Sequence, residues 1–368
     1  MVSNGCVKDS IRRCEHQHTH LNMSANNTVL LSLTTEMIPV LFISWELYDL
    51  ISRICYHVLY PCIGVIGILG NNINIVILTR QGFRKLFNII LLSLAVSDCL
   101  FLFGINNGPI QVYAEHQGYM FSETLNSICF VLFMICSCAN DIGSFSSVII
   151  PVLITGERIL AICYPFKAYA ILTPRCTVIV LSCLYVIVGI CCLYEVLLSY
   201  QLTYFVIDGI VVGEMVITDM RVAHERSGVK QLVDQIGNYL TGVIPISLVT
   251  TGCIVIGLRI VQITNRRRQM SPSQVTSSTK HGITKTTKTL LKICLLYIVC
   301  YGSTFIASFI LQSKLLEQQI PTESIIQRFQ NVVLSLNCVG NFLIYLKGRH
   351  NIRKTSIKVR KKKKVTDK

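Results

Sequence analysis

Long apolar runs separated by short polar stretches dominate the chain. Crossing a hydrocarbon core takes about 20 residues of helix, because lipid cannot satisfy exposed backbone N–H and C=O groups. Seven runs reach that length: Ile54 to Thr79, Asn88 to Tyr113, Ser127 to Ile162, Cys176 to Leu198, Ile236 to Thr264, Thr289 to Leu311 and Ile325 to Leu346. The stretch Val29 to Ile43 is shorter and contains Glu36 and Pro39, so it is expected to be extracellular. The pattern predicts an all-α, integral membrane seven-transmembrane helix bundle, with an N-terminal arm over 1–53, the bundle over 54–346 and a basic tail over 347–368. The polar start lacks an apolar signal-peptide core, so the first span is expected to act as its own insertion signal. No internal repeat is evident, which gives a repeat-built transporter no support.

Composition sharpens this picture. The 368 residues are 52% hydrophobic and 14% charged, a balance foreign to an ordinary soluble domain. Yet the formal net charge is +15. Most of the 34 Lys and Arg fall in alternate connections and in the tail, where Glu157 and Asp367 are the acids. By the positive-inside rule the N-terminus is outside and the C-terminus cytoplasmic. The excess charge is thus a topological and lipid-facing signal, with no indication of nucleic-acid binding. Two sequons, at Asn22 and Asn26, fall in the expected extracellular arm and predict a glycoprotein. The alternating His16, His18 and His20 lack a preorganised geometry, and no metal site is expected there.

Polar residues inside the spans carry the functional information, since hydrocarbon penalises them. In the third span Ser137, Asn140, Ser144, Ser147, Pro151, Thr155 and Arg158 recur at three- and four-residue intervals on one stripe, flanked by Asp141. Asp98 lies deep in the second span and Asn71 in the first, while Asn337, Asn341 and Tyr345 share a face of the seventh. Together they predict an interior hydrogen-bonded network with a small cation at Asp98; packing by small residues is the competing account. Most of the 17 cysteines lie within spans, where a thiol behaves as a small hydrophobe. No catalytic constellation emerges, and an enzyme is not expected.

The ordered motifs Gly70-Asn71, Asn88 with Leu94-Ala95-Val96-Ser97-Asp98, Glu157-Arg158 with Ala161 and Pro165-Phe166, Pro245, and Asn337 with Asn341-Phe342-Leu343-Ile344-Tyr345 resemble a rhodopsin-like (class A) G protein-coupled receptor. The Asn-Phe pair, where the family has Asn-Pro, is similar to invertebrate FMRFamide-type peptide receptors and gastropod chemosensory receptors. The resemblance implies a multi-pass plasma-membrane receptor for an extracellular neuropeptide or chemosensory cue, activating a heterotrimeric G protein. It makes Glu157, Arg158 and Tyr345 the coupling switch. Asp98, Ser147, Asn337, Asn341 and Asn71 become an allosteric sodium-type site, with no other cofactor or metal. Asn140, Asp141, Ser144 and Tyr301 become the candidate ligand pocket.

Several positions depart from the family. Tyr301 and Ser303 replace the sixth-span Trp and Pro, Cys253 replaces the fifth-span Tyr, the fourth span has no Trp, and Pro151 interrupts the third. A non-coupling seven-helix scaffold or decoy receptor is the alternative these losses favour. The connection Ser199 to Gln235 has no Cys for the family's extracellular disulfide, and Cys129 stands four residues before the family position; if Cys129 pairs, Cys6 or Cys14 is a candidate partner. Asn140 stands where amine receptors carry Asp, disfavouring an amine, and Ser335 stands at the retinal-lysine position, disfavouring an opsin. Ser277 and Ser278 are candidate phosphorylation sites in a basic loop that would recruit arrestin, and the run Lys358 to Lys364 suits anionic membrane lipid.

Overall fold

The computed structural model describes residues 45–83, 86–107, 122–164, 173–207, 210–269, 277–311 and 320–366. The sequons at Asn22 and Asn26, and the side chains of Ser277 and Ser278, lie outside the described residues. Seven described helices are long and apolar enough to cross a membrane: Glu46–Gln81, Leu86–Ile105, Glu123–Cys163, Pro174–Ser199, Val229–Ile263, Thr287–Ala307 and Ile325–Gly348. They match the predicted spans in number and order. The chain is an all-α, seven-transmembrane bundle.

The ends differ from expectation for local reasons. The first span starts earlier because the amphipathic helix Trp45–Ile54 runs through a π-helical turn, Cys55–Leu59, into Tyr60–Gln81. The second stops at Ile105, before Tyr113. Asn106-Asn107-Gly108-Pro109 is a helix-stop sequence, and the Asn106 amide donates back to the Leu102 carbonyl at 2.7 Å. Within the expected loop Ser199 to Gln235, β1 (Tyr200–Ile207) and β2 (Ile210–Ile217) pair antiparallel, with Tyr200 opposite Ile217. The sequence carries the signal, since Asp208-Gly209 separates two runs rich in β-branched and aromatic residues. A short helix, Asp219–Arg226, follows, capped by Thr218, whose hydroxyl accepts from the Arg221 N–H at 3.2 Å.

The third span is the axis of the bundle and packs on spans two, four, five and six, while the first packs on the second and seventh. Aliphatic side chains such as Val65, Leu69, Ile187, Leu295 and Val299 point outward, whereas Asn71, Asp98, Ser147 and Asn337 are buried. This is the reverse of a soluble protein, and it follows from lipid being as apolar as leucine. Backbones can then close up only where side chains are small. A Cβ on Gly104 would stand 2.5 Å from the Cys136 carbonyl oxygen, and one on Gly143 would stand 2.7 Å from the Phe101 Cα. Spans two and three therefore meet at these two glycines.

Gly143→Ala is expected to destabilise the bundle by about 1–3 kcal/mol, because backbone cannot yield as a side chain can. Gly156→Ala on the same helix meets open space and should be neutral or slightly stabilising. Thermal unfolding of the two variants in detergent tests the contrast; equal midpoints would show that the glycine contact does not set the packing.

Candidate functional site

Polar groups of five spans converge near the bundle centre. Asp98 is fully buried. It accepts from the Ser147 hydroxyl at 3.4 Å and from the Asn341 amide at 3.1 Å, tying the second span to the third and seventh. The Asn71 amide donates to the Gly67 and Cys338 carbonyls at 3.1 and 3.3 Å, which ties the first span to the seventh. From the fourth span, the Tyr185 hydroxyl lies 2.9 Å from the Ser93 hydroxyl and 2.6 Å from that of Ser97. A cavity of about 10 Å³ adjoins Asp98, walled by Asn71, Asn74, Asn341 and Tyr345. Of the residues expected around a cation, Asp98, Asn71 and Asn341 are brought together at this cavity, and Ser147 touches Asp98 from outside it. Asn337 is buried but is not part of the wall. Asn74 was not anticipated, although its place one turn after Asn71 on the same face signalled it. The residues present fit a small hard cation, because the wall offers oxygen donors and a single carboxylate.

The Phe342 that replaces proline is accommodated by Gly70. A Cβ at Gly70 would lie 2.5 Å from the Phe342 ring, so the motif pair Gly70-Asn71 both makes room for the seventh span and bonds to it. Tyr301, in the place of the sixth-span Trp, packs at a tilt of 32° against Tyr297 with ring centroids 4.6 Å apart.

At the end that carries the hairpin, a cavity of about 1100 Å³ opens among spans three, five, six and seven. Asp141, Ser144 and Tyr301 all line it, together with Asp234. Asn140 instead lines a neighbouring cavity of about 320 Å³, where Asp141, Glu195 and Arg221 also stand. The helix turn that carries Asn140 away brings Asp141 into both cavities. Asp141, expected at the flank of the stripe, therefore lines both cavities, and Asn140 lines the smaller one. Glu195 and Asp234 share Lys230, each at 2.7 Å from its ammonium. Among the described residues no hydrogen bond or ion pair reaches Asp141. Arg221, outside the spans, is pushed above the ordinary guanidinium value by its hydrogen bond to Glu225 and by Tyr200.

The hairpin is seated on the third span without a covalent bond in the described residues. Cys129 is a free thiol there, and Cys6 and Cys14 lie outside the described residues. The Tyr204 hydroxyl lies 3.1 Å from the Ser127 hydroxyl and donates to the Glu123 carbonyl at 3.1 Å. Phe133 and Tyr200 meet edge to face at 5.3 Å. Gly213 of β2 rests on the buried Asn126, and a Cβ there would come 2.6 Å from the Asn126 amide nitrogen.

At the opposite end of the third span, Arg158 donates to Glu157 at 3.0 Å and lies 5.8 Å from the Phe87 ring centroid. The pair is mostly covered, at 14% and 11% side-chain exposure, which favours a held ion pair over two solvated charges. Tyr345 is buried nearby in the seventh span and accepts from the Gln81 amide at 3.3 Å. Of the three expected switch residues, Glu157 and Arg158 are thus paired with each other, while Tyr345 is bonded to Gln81. Thr155, one turn above Arg158, donates to the Pro151 carbonyl at 2.8 Å, so the third helix continues through Pro151 from Glu123 to Cys163.

A family model described as 7 transmembrane receptor (rhodopsin family) matches residues 71–345. Somatostatin receptor type 2 of Sus scrofa is 29% identical over 129 residues, 35% of this chain and 32% of that protein. The FMRFamide receptor of Drosophila melanogaster is 34% identical over 122 residues, 32% of this chain and 21% of that protein. C-C chemokine receptor type 3 of Cavia porcellus is 35% identical over 106 residues, 28% of this chain and 27% of that protein. These alignments span about a third or less of each relative's length.

Gly213→Ala should loosen the hairpin, and shortening the facing residue in the double variant Asn126→Ala/Gly213→Ala should restore its seat. Amide hydrogen exchange over 200–217 measures this. Additive rather than compensating changes would show that the two residues do not form the contact that holds the hairpin.

Proposed function

We propose, from the premise that the chain belongs to the rhodopsin family of seven-transmembrane receptors, that it binds an extracellular ligand in the larger cavity and activates a heterotrimeric G protein at the Arg158 end. Seven apolar spans in a member of this family make it a multi-pass plasma-membrane protein. One observation carries the reading: the third span holds the cavity wall, Asp141 and Ser144, and also the Glu157–Arg158 pair. Asp141 and Arg158 are separated by about 25 Å of one helix at 1.5 Å per residue. A displacement of that helix by ligand therefore acts on both ends at once. In this reading the N-terminus is outside, the larger cavity faces the exterior, and Arg158 leaves Glu157 to meet the G protein while Tyr345 moves to support the opened state.

The ligand is proposed to be a peptide that carries a positive charge. Among the described residues the cavity lining contains Asp141 and Asp234 and no Lys, Arg or His. Asp234 already has Lys230, so Asp141 is the carboxylate left for a ligand ammonium or guanidinium. The volume exceeds what a small amine fills. The names of two relatives, for somatostatin and FMRFamide, agree with a peptide. Arrestin is proposed to engage the loop bearing Ser277 and Ser278 once phosphorylated, and the basic tail to lie on anionic lipid. The non-coupling alternative retains one favouring observation, the Tyr301–Tyr297 contact in place of the sixth-span Trp.

Arg158→Ala is expected to abolish ligand-stimulated nucleotide exchange at unchanged surface expression; full exchange in that variant would sink the coupling assignment. For the pocket, a panel of amidated peptides in Arg and citrulline pairs should show a preference of 10-fold or more for Arg, by the order of one charge-assisted hydrogen bond of about 1.5–3 kcal/mol. Asp141→Asn should bring the ratio near unity, and an unchanged ratio would move the cation-binding role away from Asp141.

A further inference from the structure

We infer that the ligand carries a free carboxylate on the same terminal residue as its positive charge, and that Arg221 in the smaller cavity is the residue that receives it. The inference rests on the reading of the larger cavity as the ligand site, and extends that site into the smaller one. Asp141 lines both cavities, whereas Arg221 lines the smaller one, of about 320 Å³. Among the described residues the larger cavity has acids and no base, while the smaller one holds Asp141, Glu195 and Arg221. Glu195 is taken by Lys230 at 2.7 Å. An uncommitted carboxylate and a guanidinium thus face one chamber, and among the described residues they are not partners of each other. A ligand with a cation alone answers only Asp141. A ligand with an anion alone would be repelled by Asp141 and Glu195. A terminal residue that carries both charges answers the whole arrangement, because its cation, held at the junction by Asp141, separates its carboxylate from the acids of the wall.

Arg221 has donors to spare for this. A guanidinium carries five N–H groups in a planar fork. Its Nε donates to Glu225 at 2.9 Å, and Tyr200 meets it with a ring centroid 5.6 Å away and with its hydroxyl. Glu225 lies one turn on along the same short helix and is 46% exposed, so this is a surface ion pair that contributes little and competes weakly. The remaining donors suit a carboxylate, which the fork binds two at a time. The third span supplies the facing wall. Ser137 lies one turn before Asp141 on the same face, Asn140 immediately precedes it, and both line the smaller cavity. Among the described residues neither side chain makes a hydrogen bond. Their hydroxyl and amide are neutral donors for the same carboxylate. The volume stands at the small end for ligand sites, which suits one terminal residue while the rest of a peptide fills the larger cavity.

Two peptide termini supply this chemistry: a basic C-terminal residue with its α-carboxylate free, or an N-terminal ammonium on an acidic residue. The competing account is that Arg221 only braces the hairpin through Tyr200. The purified full-length chain in detergent is incubated with equimolar pentapeptide mixtures in matched pairs. One pair ends in Arg as free acid or as amide, with acetylated N-termini; the other starts with Asp or with Asn, with amidated C-termini. Peptides that travel with the protein on a sizing column are identified by mass spectrometry. In one of the two pairs the carboxylate member should be enriched about 10-fold or more, and the pair that responds identifies the terminus. Arg221→Gln should bring that ratio near unity. Arg221→Lys should keep a preference of several-fold, which a bracing role would not produce, and Glu225→Gln should keep or raise it. Peptides retained without a carboxylate preference in either pair would overturn the inference and leave the larger cavity as the ligand site. So would a preference that survives Arg221→Gln or one lost in Glu225→Gln. If the wild type retains no peptide, the peptide reading falls and the inference falls with it.

Discussion

Hydrocarbon offers no hydrogen-bond partner, and the rest of the structure follows from that constraint. A polar side chain in a span must be answered by its own helix or by another span, and those answered across become ties between helices. Asp98 is the strongest case: it draws Ser147 from the third span and Asn341 from the seventh. Asn71 and Tyr185 bring in the first and fourth spans through Cys338, Ser93 and Ser97. Aliphatic residues are left to face lipid, and the bundle is held by a few polar contacts and by the close approach of small residues. The same contacts that fix the fold thereby occupy its centre, where a signal between the two ends would have to pass.

The substitutions relative to the family look less disruptive in three dimensions than in the sequence. Phe342 replaces a proline, but its ring occupies the room left by Gly70. Tyr301 replaces a tryptophan and keeps an aromatic side chain at the cavity floor, packed against Tyr297. The hairpin has no cysteine for the family's disulfide, yet Tyr204, Phe133 and the Gly213–Asn126 contact fix it to the third span. In each case a side chain of different chemistry is matched by a neighbour that the motif alone does not reveal. That matching bears on the decoy alternative, since loss of motif residues without compensation would have been its main support.

The membrane-facing electrostatics and the pocket electrostatics have opposite signs for separate reasons. Basic residues in the loops and tail belong to the pattern that the positive-inside rule relates to membrane insertion. The larger cavity, by contrast, is lined among the described residues by Asp141 and Asp234 without a basic side chain. A net charge of +15 therefore says nothing about what the cavity prefers. It is the local arrangement, with Lys230 shared between Glu195 and Asp234, that leaves one carboxylate uncommitted.

The number and order of the spans, the buried stripe of the third and the Asp98 group were legible in the sequence. These depend on hydrophobic length and on three- and four-residue spacing, both of which are properties of the linear chain. The hairpin is signalled by Asp208-Gly209 but reads as a loop, because a long connection between spans carries no span-length pattern to frame it. Which of Asn140 and Asp141 enters the larger cavity, and that Asn74 rather than Asn337 walls the cavity at Asp98, only the tertiary structure decided. Adjacent residues on a helix differ by about 100° in direction. Sequence spacing gives that relative angle, but the rotation of each helix against its neighbours is set by packing contacts between residues far apart in the chain, such as Gly143 with Phe101 and Gly70 with Phe342.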